Sequence, residues 1–393
     1  MFTILPIKGY IDQIDGFFCD GIHAGLKPNG NNDLGFIYTK EACTVAAIFT
    51  ENRFQAAPLK HFLSYEEGFK TNFVLINSKN ANALTGRKGI EDINTLFSKL
   101  NFDLINPIMS STGVIGNRLP IEKLVTGALK FDLTAKSGEN LSRAIMTTDA
   151  YPKTCLYEVK LKDGSSFKIG AVAKGAGMIN PNLATMLCFI CTDADVPYKD
   201  IKEALNKNKE TTFNAISVDG DTSTNDTVMV LANGKSNAYN KDAFCEALRL
   251  VMHDMAMLMV ADGEGAKKVA AFEVKNAATK EDAIKAAKAL SNSLLVKTAL
   301  FGEDPNFGRI ASTIGASQIA CDDEKLVISY NDVVVFNKGE ICFDSIIEQK
   351  AADVLKKDQY KIICDIGLGD ESFTAYGCDL GYKYVEINAD YRS

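Results

Sequence analysis

Between Lys174 and Leu187 the chain reads KGAGMINPNLATML: two glycines, an Asn180-Pro181-Asn182 turn, and a single hydroxyl, Thr185, at the threshold of an apolar run. A threonine hydroxyl is a poor nucleophile unless a base sits beside it. The residue's own α-amine is an economical base, with a pKa of about 7.7–8.0 when free. It becomes free only if the chain is cut just before Thr185. Attack of the Thr185 oxygen on the Ala184 carbonyl would begin that cut, and Gly175, Gly177 and the Asn-Pro-Asn turn suit the strained backbone it needs. The competing reading is a β-branched residue that merely opens a strand, the commoner fate of an arbitrary threonine. The segment alone leaves both open.

Other segments add partners. SSTGVIG (110–116) is a small-residue turn after a strand, able to aim backbone N–H groups and a hydroxyl at a developing oxyanion; its plain alternative is a strand-to-loop transition. SVDGDTSTND (217–226) is dense in acids and hydroxyls. Its spacing misses the twelve-residue calcium loop and its terminal Glu, so a hydrogen-bonded structural loop near a site fits better. DGEGAKK (262–268) matches neither phosphate-loop pattern. In LFGEDPNFGRI (300–310), Glu303, Asp304 and Arg309 flank a Pro-Asn turn. They form an ordinary ion-rich loop if exposed, or an Arg309–carboxylate tie if buried. Lys174 is a sensible cation for an amino-acid carboxylate, although a lysine before glycines is usually just solvated.

The chain has three histidines, His23, His61 and His253, none in a metal or triad spacing, so a general base must come from elsewhere. Ten cysteines are scattered singly apart from Cys188-Phe-Ile-Cys191; in a strand that pair points to opposite faces, which argues against zinc or redox chemistry. The 393 residues suggest two or three domains, and the average composition provides a large core. Net charge −7 argues against general nucleic-acid affinity. No secretory pattern opens the sequence and no apolar stretch is long enough to span a bilayer, so a cytoplasmic protein is expected.

These residues need elements to position them. Strands are expected at TILPIKGY, LGFIYTK, CTVAAIFT, NFVLINS, MLCFICTD and KKVAAFEVKN, with a hairpin about Asp163-Gly164. GIEDINTLFSKL, PIEKLVTGALKF, LSRAIMTTD, YKDIKEALNKN, the long KDAFCEALRLVMHDMAMLMVADGEG, which breaks at glycine, and TKEDAIKAAKALSNSLL read as helices, the last with Thr279 as N-cap. TTFNAISVDGDTSTNDTVMVLANG reads strand, polar loop, strand. After about Leu300 the pattern turns strand-rich, with YKYVEINAD as the last strand and SIIEQKAADVLKK as a helix. The mixture is α+β.

Taken together, GAGMINPNLATML, SSTGVIGNRLP, MTTDAYPK, SVDGDTSTNDT, LVKTALFGEDPNFGRI and GCDLGYKYVEINADYRS, collinear over nearly the whole chain, resemble the ornithine acetyltransferase family of arginine biosynthesis, also called glutamate N-acetyltransferase. The resemblance implies an αββα sandwich like that of N-terminal-nucleophile hydrolases but with different connectivity, plus smaller α/β domains. It implies self-cleavage between Ala184 and Thr185, giving an α chain (1–184) and a β chain (185–393, with roughly 300–393 a smaller strand-rich region) that assemble as an α2β2 heterotetramer. Thr185 would then carry acetyl from N-acetylornithine to glutamate in a ping-pong reaction. Thr112 and Gly113 would line the oxyanion hole, and Thr148, Lys174, Thr185, Glu264, Asn388 and Ser393 would contact substrate. No metal or resident cofactor is implied; some members take acetyl-CoA as a second donor. Leu183, Phe307 and Ser393 stand where the family usually has Met, Trp and Thr. A self-cleaving aminopeptidase-type hydrolase of the related fold is the alternative.

Overall fold

The computed structural model describes residues 2–180 and 186–390. Its first sheet opens with β1 (Phe2–Pro6), β2 (Phe17–Ile22) and a 16-residue β3 (Leu34–Phe49). The two strands read at LGFIYTK and CTVAAIFT are thus one. Its register against β4 (Lys70–Asn77) shifts between Tyr38 and Cys43, a bulge that bends the strand. Before the bulge β3 pairs with β2 and β4; after it, with β4 again at Cys43 and Thr44 and with β10 (Thr227–Ala232). β5 (Ile108–Ser111), β6 (Lys153–Leu161), β7 (Ser166–Lys174) and β8 (Leu187–Thr192) complete nine strands in the order β1-β6-β7-β8-β10-β3-β4-β5, with β2 beside β3. β6 and β7 form the expected hairpin.

Alternation along these strands folds the sheet onto itself. Val74 and Ile76 of β4 share one buried cluster with Leu187, Phe189 and Cys191 of β8 and Met229 and Leu231 of β10. The intervening residues face outward. Phe73 and Leu75 pack with Ile93 and Leu96 of α2 (Gly86–Ser98) and Leu124 of α3 (Ile121–Ala128), beside α1 (Ala57–Phe62). Cys188, Ile190, Val228 and Val230 pack against Ile201 and Leu205 of α5 (Tyr198–Lys209) and Leu248 and Met252 of α6 (Lys241–Ala261). The layers therefore run helix, sheet, sheet, helix, and α4 (Gly138–Ile145) closes one end of the inner layer with Leu141 and Ile145. Cys188 and Cys191 lie on opposite faces, as their spacing predicts.

A second, seven-stranded sheet follows the order β14-β13-β12-β15-β11-β16-β9. Its strands are β9 (Ile216–Ser217), β11 (Val269–Ala277), β12 (Val327–Tyr330), β13 (Val333–Asn337), β14 (Glu340–Ile341), β15 (Gln359–Asp365) and β16 (Glu371–Cys378). One face carries Phe272, Ile328 and Ile362 against α7 (Lys280–Asn292), α8 (Leu294–Phe301), α9 (Phe307–Ala316) and α10 (Ser345–Leu355). Thr279 caps α7, accepting the Asp282 N–H.

Three local expectations are corrected. TTFNAIS folds as a 3-10 turn (Phe213–Ala215) entering the two-residue β9, because Thr212 is turned out of extended geometry. LFGEDPNFGRI is mostly helical: α8 ends at Phe301, and the Asn306 side chain caps α9 by accepting the Arg309 N–H. Arg309 is tied not to a carboxylate but to the Leu295 carbonyl at 2.8 Å, while Glu303 pairs with Lys268. Phe307 packs on Phe336 and Phe343, an aromatic setting that accepts it in place of Trp. YKYVEINAD is a helix, α11 (Tyr382–Asp390). None of its residues is buried, so no apolar alternation had a face to cover; Asn388 instead bonds back to the Tyr384 carbonyl and Lys383 pairs with Glu386.

The inner layer joins β3, β4, β8 and β10 in one buried apolar cluster. Phe189→Ala, at a side chain with no exposed surface, is expected to cost about 3–5 kcal/mol in a denaturant titration.

Candidate active site

A cavity of about 200 Å³ opens where the strand ends of the sandwich meet the β9–β10 loop and α11. Six of the expected site residues line it together: Thr112, Gly113, Thr148, Lys174, Glu264 and Asn388. Ala184, Thr185 and Ser393 lie outside the described residues. None of the three histidines lines the cavity.

Gly113 sits in the turn after β5 with φ +128°, a backbone region that favours glycine. A Cβ there would stand 2.3–2.6 Å from the backbone of Lys79 and Asn80. The preceding N–H, of Thr112, is committed to the Asn77 carbonyl at 3.0 Å, so Thr112 has its hydroxyl to offer the cavity.

Lys174 ends β7 and is buried, with Nζ 3.2 Å from Thr147 Oγ1. Burial pushes its pKa down, and the carboxylates of Asp149, Asp226 and Glu264 oppose that shift. It is the one cation among the described lining residues. Glu264 follows the end of α6. Its N–H donates to the Ala176 carbonyl and its carboxylate accepts from Asn388 Nδ2 at 2.6 Å. The carboxylate lies so close over Gly177 that a Cβ there would meet it at 2.5 Å. A cation on one wall and a carboxylate on another suit a ligand carrying both charges, such as an amino acid.

The β9–β10 loop contributes residues that the site expectations omitted. Asp219 accepts the N–H groups of Met178 (at 2.5 Å) and Ile179 (2.8 Å) and the Tyr384 hydroxyl, which joins the segment entering Asn180 to α11. Met178 has φ +58°, strained for a side chain of its size. Asn225 Nδ2 donates to the Ala81 and Ser111 carbonyls at 2.6 and 2.9 Å, bracing the turn that carries Thr112 and Gly113. Asp226 Oδ1 accepts the Met186 N–H at 2.9 Å, directly after Thr185. Burial drives the Asp226 carboxyl well above the usual range, and its Oδ2 has no partner among the described residues. The acid- and hydroxyl-rich spacing of 217–226 flagged the loop. Its individual partners, 40 to 165 residues away, carried no local signal.

The ArgJ family pattern matches residues 18–393. The chain is 57% identical to the arginine biosynthesis bifunctional protein ArgJ of Wolinella succinogenes, over 100% of both chains. The chain belongs to the ArgJ family. It is also 40% identical to the glutamate N-acetyltransferase of Methanothermobacter thermautotrophicus, over 98% of this chain and 97% of that one. The solved ArgJ structure from Bacillus halodurans is 38% identical and covers 51% of this chain and 96% of its own, with a TM-score of 0.48.

Two general features frame the site. No helix is long and apolar enough to cross a membrane among the described residues, and no His, Cys, Asp and Glu group there could hold a metal ion.

Gly113→Ala tests the turn. A Cβ at φ +128° against two backbone segments must displace it; in the oxyanion-hole role expected of Gly113 from the sequence, losing a donor costs about 10²–10³-fold in turnover. The expected outcome is that loss in a steady-state assay, with the far-ultraviolet circular dichroism spectrum retained.

Proposed function

We propose that this member of the ArgJ family is an acyltransferase of arginine biosynthesis that moves acetyl from N-acetylornithine to glutamate. The observation that carries the reading is the gathering of Thr112, Gly113, Thr148, Lys174, Glu264 and Asn388 around one cavity, in a chain 57% identical end to end to a bifunctional ArgJ protein.

In this reading the chain cuts itself between Ala184 and Thr185 into α (1–184) and β (185–393) pieces that remain together as a cytoplasmic α2β2 assembly. The new Thr185 α-amine takes the hydroxyl proton while the oxygen attacks the acetyl carbonyl. Gly113 and the Thr112 hydroxyl supply the charge on the tetrahedral oxygen with hydrogen-bond donors. Collapse breaks the C–N bond, and the leaving ornithine amine takes the proton back from the Thr185 ammonium. The resulting acetyl ester is attacked by the glutamate amine, with the same proton route in reverse. Lys174 pairs with a substrate carboxylate and Glu264 with an amino group, while Thr148, Asn388 and Ser393 complete the contacts. Acetyl-CoA is a candidate second donor, and the bifunctional name of the Wolinella relative supports testing it.

A denaturing gel tests the cut: two bands are expected for wild type and one for Thr185→Ala. Incubation with acetylornithine and glutamate tests the transfer. Acetylglutamate is the expected product. Free acetate without acetylglutamate would mean that water resolves the ester, as in a hydrolase, and would sink the transferase reading.

A further inference from the structure

Lys153, at the start of β6, has no exposed surface. Its ammonium lies 2.7 Å from Asp149 Oδ1 and 2.6 Å from Asp262 Oδ2, with the Tyr151 carbonyl at 3.5 Å as a third acceptor. Replacing buried ion clusters with apolar side chains of similar volume is often neutral or stabilising, so stability alone is a weak reason for three charges there. The remaining bonds of the cluster are more telling, because they run to the cavity walls.

Asp149 accepts the Gly175 N–H at 2.7 Å and the Thr147 N–H at 2.9 Å. Those two residues adjoin Lys174 and Thr148, and the Lys174 ammonium rests on the Thr147 hydroxyl. Asp262 accepts the Ala150 N–H at 3.0 Å and stands two residues before Glu264. One cation therefore holds the backbone under the cationic wall and the backbone under the anionic wall. Burial by itself would raise the Asp149 carboxyl; Lys153 and Lys174 outweigh it and hold the group at about 2, so it stays an acceptor throughout the physiological range.

We propose that Lys153, Asp149 and Asp262 form a positioning triad that sets the separation of the Lys174 ammonium and the Glu264 carboxylate, and so matches the cavity to an amino-acid ligand whose opposite charges are spaced to meet both. Lys153 and Asp149 precede the proposed cut and Asp262 follows it, so the same cluster joins the two pieces across it. None of the three lines the cavity, and each acts through a neighbour. This inference rests on the proposed acetyl transfer for its kinetic test.

The test compares Asp262→Asn, Lys153→Met and Lys153→Arg with wild type. A denaturing gel and a thermal melt come first, then KM and kcat with acetylornithine and glutamate. Loss of a charge-assisted bond under one wall is expected to raise KM for acetylornithine about 10- to 100-fold in Asp262→Asn and Lys153→Met. The change in kcat should be smaller, because Thr112, Gly113 and Thr185 are not touched. Lys153→Arg, which keeps the charge, should recover much of the loss. If Lys153→Met fails to fold, Asp262→Asn and Lys153→Arg decide. Wild-type KM in folded Asp262→Asn overturns the proposal, as does a fall in kcat alone that tracks the melting temperature. If wild type forms no acetylglutamate, the functional reading has failed, and calorimetry with ornithine still judges the triad. Weaker ornithine binding by Asp262→Asn than by wild type upholds it; equal binding, or none by wild type, overturns it.

Discussion

A polar cavity inside a layered core persists only if the backbone at its walls finds hydrogen-bond partners, and here the β9–β10 loop supplies them. Three side chains of that loop reach three separate segments: Asp219 the N–H groups at 178 and 179, Asn225 the carbonyls of Ala81 and Ser111, and Asp226 the N–H of Met186. An unpaired buried backbone group costs about 1–3 kcal/mol, so these contacts fix the geometry more firmly than any single apolar contact nearby. The cavity therefore belongs to neither sheet. It is the place where the sandwich, the loop and α11 satisfy one another.

The layers beneath make that meeting possible. The bulge in β3 lets one strand serve both halves of the sandwich, so β5 with its glycine turn and β7 with Lys174 end close to the same point. Charges placed there are shielded poorly from each other. Burial works against ionising both Lys174 and Asp226, and each favours the charged form of the other. Gly113 and Gly177 serve the same compactness, because each lets a backbone or a carboxylate approach closer than a Cβ would permit.

Much of this was legible along the chain. The helices at 86–98, 198–209, 241–261 and 280–292 follow from apolar spacing and caps, and the alternation in MLCFICTD correctly assigned Cys188 and Cys191 to opposite faces. The family resemblance singled out Thr112, Gly113, Thr148, Lys174, Glu264 and Asn388, and all six line the cavity. The misreadings share a cause. YKYVEINAD looked like a strand because its aromatic and β-branched residues match strand preferences, yet none of them is buried in a face that would enforce that preference. Asn306 looked like part of a turn, and its capping role depended on what followed it in space.

The sequence by itself determined the alternation of buried and polar residues, hence an α+β chain. It also determined the inventory of groups that could do chemistry: a hydroxyl behind a turn, glycines where side chains would obstruct, and a lysine and a glutamate of opposite charge. These properties depend on neighbours within a few residues. Only the tertiary structure decided that Lys153 bridges Asp149 and Asp262, that Asn225 braces a turn 114 residues away, and that the six motif residues share one cavity. Hydrogen bonds and ion pairs act over about 3 Å. Which groups come that close is set by how the layers stack, not by their spacing along the chain.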